Sequence, residues 1–281
     1  MTPGIESAYA KRKIAARAAT VASSAAVVLA LAPLVAIFLH VAVRGVRALS
    51  VSFFTEPVGA RGAGMANAVF GTIQLVLLAS AMGIPLGIAG GLYLSECRHT
   101  RLARAVRFCA DVLAGVPSIL VGVAVYAVVV VRMKQFSAFA GAAALAIVML
   151  PLVVRTTDVL ARAVPDSLRE AALALGATRW RTAIFVVLRT AAPGIRSGCM
   201  LAVARVCGET APLLFTAYNN RFFNDSLFDP TSTLQVQIFT YTMTPNEDWH
   251  AQAWAAALVL VAIVVVLDVL ARRLVERKEV A

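Results

Sequence analysis

Six stretches of this chain are apolar for about as long as a helix must be to cross a bilayer core, roughly 20 residues. They run from Thr20 to Val43, Val69 to Leu94, Val112 to Val131, Ser137 to Val154, Ser197 to Ala217 and Ala251 to Leu270. The fourth is short and rich in Ala, and the second holds Gly83, Pro85 and Gly87. Of the 281 residues, 60% are hydrophobic and only 15% charged, whereas soluble domains carry about a quarter charged residues. So much apolar surface has to be solvated by lipid. The sequence therefore predicts an all-α integral membrane protein with about six spanning helices. Lys11, Arg12, Lys13 and Arg17 precede the first run in the manner of a signal peptide. That run is too long for a cleaved signal, so an uncleaved anchor is expected.

The formal net charge is +11, a balance that in a soluble protein points to nucleic acid or anionic lipid. Here the distribution of Lys and Arg accounts for it. With the N-terminus inside, nineteen of them fall in cytoplasmic segments and six outside (Arg44, Arg47, Arg61, Arg132, Lys134 and Arg221). That asymmetry is the positive-inside bias, and no nucleic-acid partner is needed. Both termini are expected in the cytoplasm of a plasma-membrane protein. Residues 1–19 and 272–281 are then tails, 20–43 a peripheral first span, and 69–271 a core of five spans. Residues 155–196 form a cytoplasmic loop and 218–250 an external one. Cys97, Cys109, Cys199 and Cys207 lack metal-ligand spacing and read as small hydrophobes.

The cytoplasmic loop contains Pro165 to Gly176, PDSLREAALALG. Ser167 and Glu170 have the spacing of a capping box, and Gly176 suits a left-handed helix stop. A second helix start follows at Thr178. Alanines at 171, 172 and 174 keep the first helix slim enough for close approach by a partner. An amphipathic helix resting on lipid headgroups, with Trp180 and the arginines at the interface, fits the same residues.

Glu170, Ala171 and Ala172, followed after three residues by Gly176, resemble the EAA motif of ABC importer permeases. The resemblance implies a type I importer-like bundle whose motif helix docks on a separate ATPase. The usual pattern ends in Leu-Pro, whereas this chain has Leu188 and then Arg189. Three further strings, GETAPLLFTA from Gly208, GVPSILVG from Gly115 and PLGIAGGLYLSE from Pro85, resemble the PstA-type permease family of bacterial phosphate-specific importers. Leu234 to Ile238 and Ala253 to Ala257 fit the same family. That resemblance implies a second homologous permease of PstC type, two ATP-binding subunits of PstB type and an external phosphate-binding protein of PstS type. It also implies that ATP and Mg are used by the partner ATPase, with no cofactor bound by this chain.

Arg205 and Glu209 stand four residues apart in the fifth apolar run, with Pro212 after them. Charges in a span are expensive and usually face an interior or an aqueous path. A guanidinium offers phosphate a planar fork of donors, and Glu209 can neutralise it when phosphate is absent. A pair that only fixes helix packing is the alternative reading of the residues. The resemblance places both on the phosphate path. Asp158, with Arg155 and Arg162 at helical spacing, and Asp268, with Arg272, read as interfacial ion pairs. Asp111 is expected at the start of the third span. The turn from Gly115 to Ser118 is read as a device for close helix packing rather than as a break in the third span that exposes N–H groups to an anion. His40 has no metal-spaced companion.

None of the four lysines, Lys11, Lys13, Lys134 and Lys278, follows a Gly, so the chain has no phosphate-binding P-loop. It also has no H-E-x-x-H or G-x-S-x-G motif. The expected function is the permease subunit of an ATP-driven phosphate importer, not an enzyme. A permease for another oxyanion such as sulfate or molybdate is the nearest alternative, and a passive anion channel a more distant one.

Overall fold

The computed structural model describes the backbone of residues 3–59, 64–224 and 226–276, with side chains from residue 12 to residue 269 of these. Arg61 and residues 277–281 of the tail lie outside the described residues, as do the side chains of Lys11 and Arg272. The described residues are helical almost throughout. The helices are α1 (Pro3–Ala48), α2 (Val51–Thr55), α3 (Ala66–Glu96), α4 (Arg101–Gly115), α5 (Ser118–Met133) and α6 (Ala138–Ala163). They continue with α7 (Asp166–Ala174), α8 (Arg179–Cys207), α9 (Ala211–Leu214), α10 (Leu234–Thr242) and α11 (Glu247–Glu276). Five of them (α1, α3, α6, α8 and α11) are long and apolar enough to span, and the pair α4–α5 makes a sixth crossing if taken together.

α6 is the centre of the bundle. Its alanines at 140, 142, 144 and 146 are buried, and glycines from both neighbours face it. On α3, Gly83 lies by Met149, Gly87 by Val153 and Gly91 by Thr157. On α8, Gly194 lies by Leu160 and Gly198 by Thr156. Small residues at every fourth position let helices approach closely without a hydrophobic drive to help them. A methyl group added to Gly87 would sit 2.6 Å from Val153 Cγ1. Gly87→Ala is therefore expected to cost about 1–3 kcal/mol through overpacking. The thermal midpoint of the purified protein should fall, and an unchanged midpoint would show that α3 slides away freely.

The first span lies at the edge of the bundle. Its apolar window is wholly exposed, and its described packing is on α11, where Gly45 meets Leu258 and Trp254. His40 makes an edge contact with the Trp254 ring, centroids 4.9 Å apart.

The third apolar run does not form one helix. Val112 to Gly115 belong to α4, and the chain bends by 108° before α5 begins at Ser118. Pro117 removes a backbone donor and drives Val116 into an extended conformation (φ −73, ψ 130). Close packing is not what Gly115 serves, because none of the described residues lies within 4 Å of a Cβ placed there. Asp111 is accordingly inside α4 rather than at a helix start. It pairs with Arg155 at 2.8 Å. Asp158 pairs with Arg162 (2.8 Å), one of its two expected partners, and with Arg107 (3.4 Å). The expected Arg155–Asp158 pair is thus replaced by two bridges that staple α4 to α6.

The segment 155–196 contains the two expected helices on either side of Gly176, and α6 extends into it as far as Ala163. A π-helical stretch, Thr182–Leu188, carries the chain through Arg189 without a break. The segment 218–250 is not a free external loop. Thr231 to Gln237 are all buried. Much of their polar surface is paired inside the protein, although Gln237 Oε1 is buried with no hydrogen-bond partner among the described residues. The Leu234 amide donates to the Thr72 hydroxyl at 2.9 Å, and Gln237 Nε2 donates to Asn219 Oδ1 at 2.6 Å.

Candidate translocation and coupling sites

The fifth span ends ten residues earlier than its apolar run suggests. α8 stops at Cys207, capped by Gly208, whose amide donates to the Arg205 carbonyl. Gln235 Nε2 donates to the Cys207 carbonyl at 2.5 Å and so fixes where the helix ends. Because Gln235 and Leu234 also sit by Thr72, that end lies roughly 9 Å along α3 from its first residue, at 1.5 Å per residue. The chain then turns through Gly208, Glu209 and Thr210 into α9, with Pro212 in its first turn. Gly122 of α5 packs on Pro212, where an added Cβ would be 2.6 Å from Pro212 Cα. Two of the strings noted in the sequence therefore touch beside Glu209.

Arg205 is in the last turn of α8, not deep within a span. Its Nε stands 3.8 Å from Glu209 Oε1, with the arginine side chain 50% exposed and the glutamate 18%. At 3.8 Å this is an ion pair and not a hydrogen bond. Among the described residues Glu209 is the one partner recorded for Arg205. Among the same described residues its two terminal nitrogens have no hydrogen-bond acceptor. The arrangement is a half-open guanidinium held near a carboxylate, which can take an oxyanion on its free edge.

The coupling candidates sit at the opposite, arginine-rich end. Helix α7 begins at Asp166, with Pro165 as its N-cap and no side-chain cap bond. The expected capping box of Ser167 and Glu170 does not form. Pro165 (φ −55, ψ 138) already directs the chain into the helix, so Ser167 is helical and cannot cap it. The C-terminus behaves as expected. Gly176 has φ +82, its amide donates to Leu173 and the Ala177 amide to Ala172. These two bonds make a Schellman cap, which favours glycine. Thr178 then caps α8 by accepting from the Arg181 amide. Glu170, Ala171 and Gly176 are exposed and Ala172 half-buried. Leu175 is 90% exposed and Trp180 69%. Together they present an apolar ridge around the turn.

Two contributors were not singled out from sequence. Gln235 anchors the end of α8, although its only sequence signal is a polar residue in an apolar segment. Arg169 lies just before Glu170 and turns inward, with its side chain 12% exposed.

A family described as binding-protein-dependent transport system inner membrane component matches residues 83–280. The phosphate transport system permease protein PstA of Yersinia pestis is 42% identical over 267 residues, covering 94% of this chain and 90% of that protein. The PstA protein of Haemophilus influenzae is 41% identical over 239 residues, 84% of this chain and 85% of its own. Among solved structures, a chain of a bacterial alginate ABC transporter superposes with a TM-score of 0.69, covering 95% of this chain and 96% of that one at 14% identity. A chain of the MetNI methionine ABC transporter, in an inward-facing conformation, superposes at 0.64 over 75% of this chain and 94% of that one, at 19% identity. These two show the fold. With the family match and the PstA relatives, the chain belongs to the binding-protein-dependent transport system inner membrane components, among the PstA-type permeases, as a multi-pass transport subunit and not an enzyme.

Proposed function

We propose that this chain is one of two paired permeases in an ATP-driven importer of inorganic phosphate. The observation that carries the substrate is the 42% identity to a phosphate permease over 94% of the chain. The free edge of Arg205 supports it, since phosphate at neutral pH carries one to two negative charges and accepts bidentate hydrogen bonds from a guanidinium. Glu209 holds the guanidinium in place and compensates its charge between transport events, which keeps the anion from being trapped. The second permease is of PstC type, the two ATP-binding subunits of PstB type and the external delivery protein of PstS type. ATP and Mg are handled by those partner subunits. Glu170, Ala171, Ala172 and Gly176 form the surface on which one ATPase docks.

Purifying the chain with its companions and measuring ATP hydrolysis tests this reading. Hydrolysis and uptake should be stimulated by phosphate and resist competition by sulfate and molybdate. Preferential stimulation by another oxyanion would reassign the substrate. Phosphate movement without nucleotide would indicate a channel.

The basic end of the bundle faces the cytoplasm in this reading, and so do both termini. Met243 is 70% exposed at the other end. In a background without Cys97 and Cys109, Met243→Cys should react with a membrane-impermeant maleimide in intact cells. Leu175→Cys should react only after permeabilisation. The reverse pattern would invert the topology.

A further inference from the structure

α7 buries none of its own residues, so apolar burial is not what holds this helix to the bundle. Arg169 supplies the attachment. Its Nη1 donates to the Val164 carbonyl and its Nη2 to the Ala161 carbonyl, both at 2.6 Å. These acceptors belong to the end of α6, where carbonyls lack helical donors and a cation is favoured. Nη1 also meets Asp166 Oδ1 of α7 at 3.0 Å. Nε faces Oε1 of Glu96, the last residue of α3, at 3.4 Å. One side chain therefore joins three helices. α6 is also tied to α7 through the backbone at Val164 and Pro165, whereas α3 has no covalent link to α7.

The far ends of α3 and α6 both reach the turn that carries Arg205 and Glu209. Thr72 of α3 accepts from the Leu234 amide, and the adjacent Gln235 holds the Cys207 carbonyl. Gly141 of α6 packs against Leu213 and Ala217, just beyond that turn. Between these ends the two helices interlock along Gly83, Gly87 and Gly91. A displacement delivered to their basic ends is carried by a close-packed pair to the translocation turn.

We propose that Arg169 is the positioning residue that transmits movement of α7 to α3 and α6, and through them to Arg205 and Glu209. This rests on α7 being the helix that docks the ATPase. The planar guanidinium engages two carbonyls and two carboxylates at once in fixed directions. A lysine ammonium in its place would be a point charge without that geometry.

The test uses the complex purified through this chain, reconstituted in liposomes with Mg-ATP, and reads phosphate moved per ATP hydrolysed. In Arg169→Gln the ATPase should remain bound and hydrolysis continue, while phosphate per ATP falls about fivefold or more, the lower range of coupling between sites. Arg169→Lys should recover part of the ratio. Glu96→Gln removes the charge from the α3 arm alone and should lower the ratio by less. An unchanged ratio in Arg169→Gln overturns the inference, and so does a proportional fall of uptake and hydrolysis together. If Arg169→Gln does not assemble, Glu96→Gln decides, and an unchanged ratio there is equally fatal. Crosslinking from Leu175→Cys to the ATPase checks the reading beneath it. Absence of that crosslink in an otherwise unaltered complex removes the docking role of α7. Its presence with an unchanged ratio in Arg169→Gln removes only the role of Arg169.

Discussion

Replacing Arg205 by Gln is expected to lower phosphate uptake about tenfold to a hundredfold, the equivalent of the roughly 1.5–3 kcal/mol carried by hydrogen bonds to a charged group. Arg205→Lys should keep part of the activity, because it retains the charge and loses the two-pronged geometry. The change also leaves Glu209, whose side chain is 18% exposed, without its cation. Loss of uptake in the single variant therefore has two physical explanations. If the pair only stabilises the end of α8, removing both charges in Arg205→Gln with Glu209→Gln should restore transport, since the damage would come from one unpaired charge. If the guanidinium receives phosphate, the double variant stays inactive. The inactive outcome is expected, since the terminal nitrogens of Arg205 have no acceptor among the described residues and the pair is 3.8 Å apart. Uptake is compared at equal amounts of assembled complex, which separates transport from folding. Recovery in the double variant would give the pair a purely structural role.

The second large effect is expected at Gly176. Its φ of +82 lies in the left-handed region, and none of the described residues stands within 4 Å of an added Cβ. Substitution there tests backbone conformation alone. A β-branched residue pays roughly 1–2 kcal/mol to stay left-handed, so Gly176→Val should open the Schellman cap between α7 and α8. The bundle is untouched, and the thermal midpoint and membrane insertion should change little. ATPase association, or phosphate-coupled hydrolysis, should fall sharply because Leu175 and the Glu170 helix are no longer presented together. Gly176→Asn should retain much more, since Asn tolerates this conformation. Normal hydrolysis and uptake in Gly176→Val would count against docking at this turn.

Several elements were legible in the sequence for physical reasons that are local. Run length measures whether side chains are soluble in lipid, and it located α1, α3, α6 and α11. The turn between α7 and α8 was legible from Gly176 and Thr178, because a cap involves residues only a few positions apart. Ser167 misled because Pro165, two residues earlier, had already set the helix start. Arg205 and Glu209 stand out in the sequence because charges in an apolar run are conspicuous. Their position at a helix end, half open, was not visible.

Apolar run length by itself determined that this chain crosses a membrane about six times, and the strings around Glu170 and Glu209 determined its family. The tertiary structure decided the rest. It bent the third run at Pro117, where the missing donor and the extended Val116 break the helix, and the apolar end of α4 hides that break by continuing the run up to it. It ended α8 at Cys207 and folded Thr231 to Gln237 into the bundle, through bonds from Gln235 to Cys207 and from Leu234 to Thr72. It set Arg169 between the ends of α3 and α6. The end of α8, the burial of Thr231 to Gln237 and the setting of Arg169 depend on polar groups finding partners far along the chain, in one case 162 residues away. Such pairing leaves no trace in local periodicity, because the partner is chosen only when the helices pack.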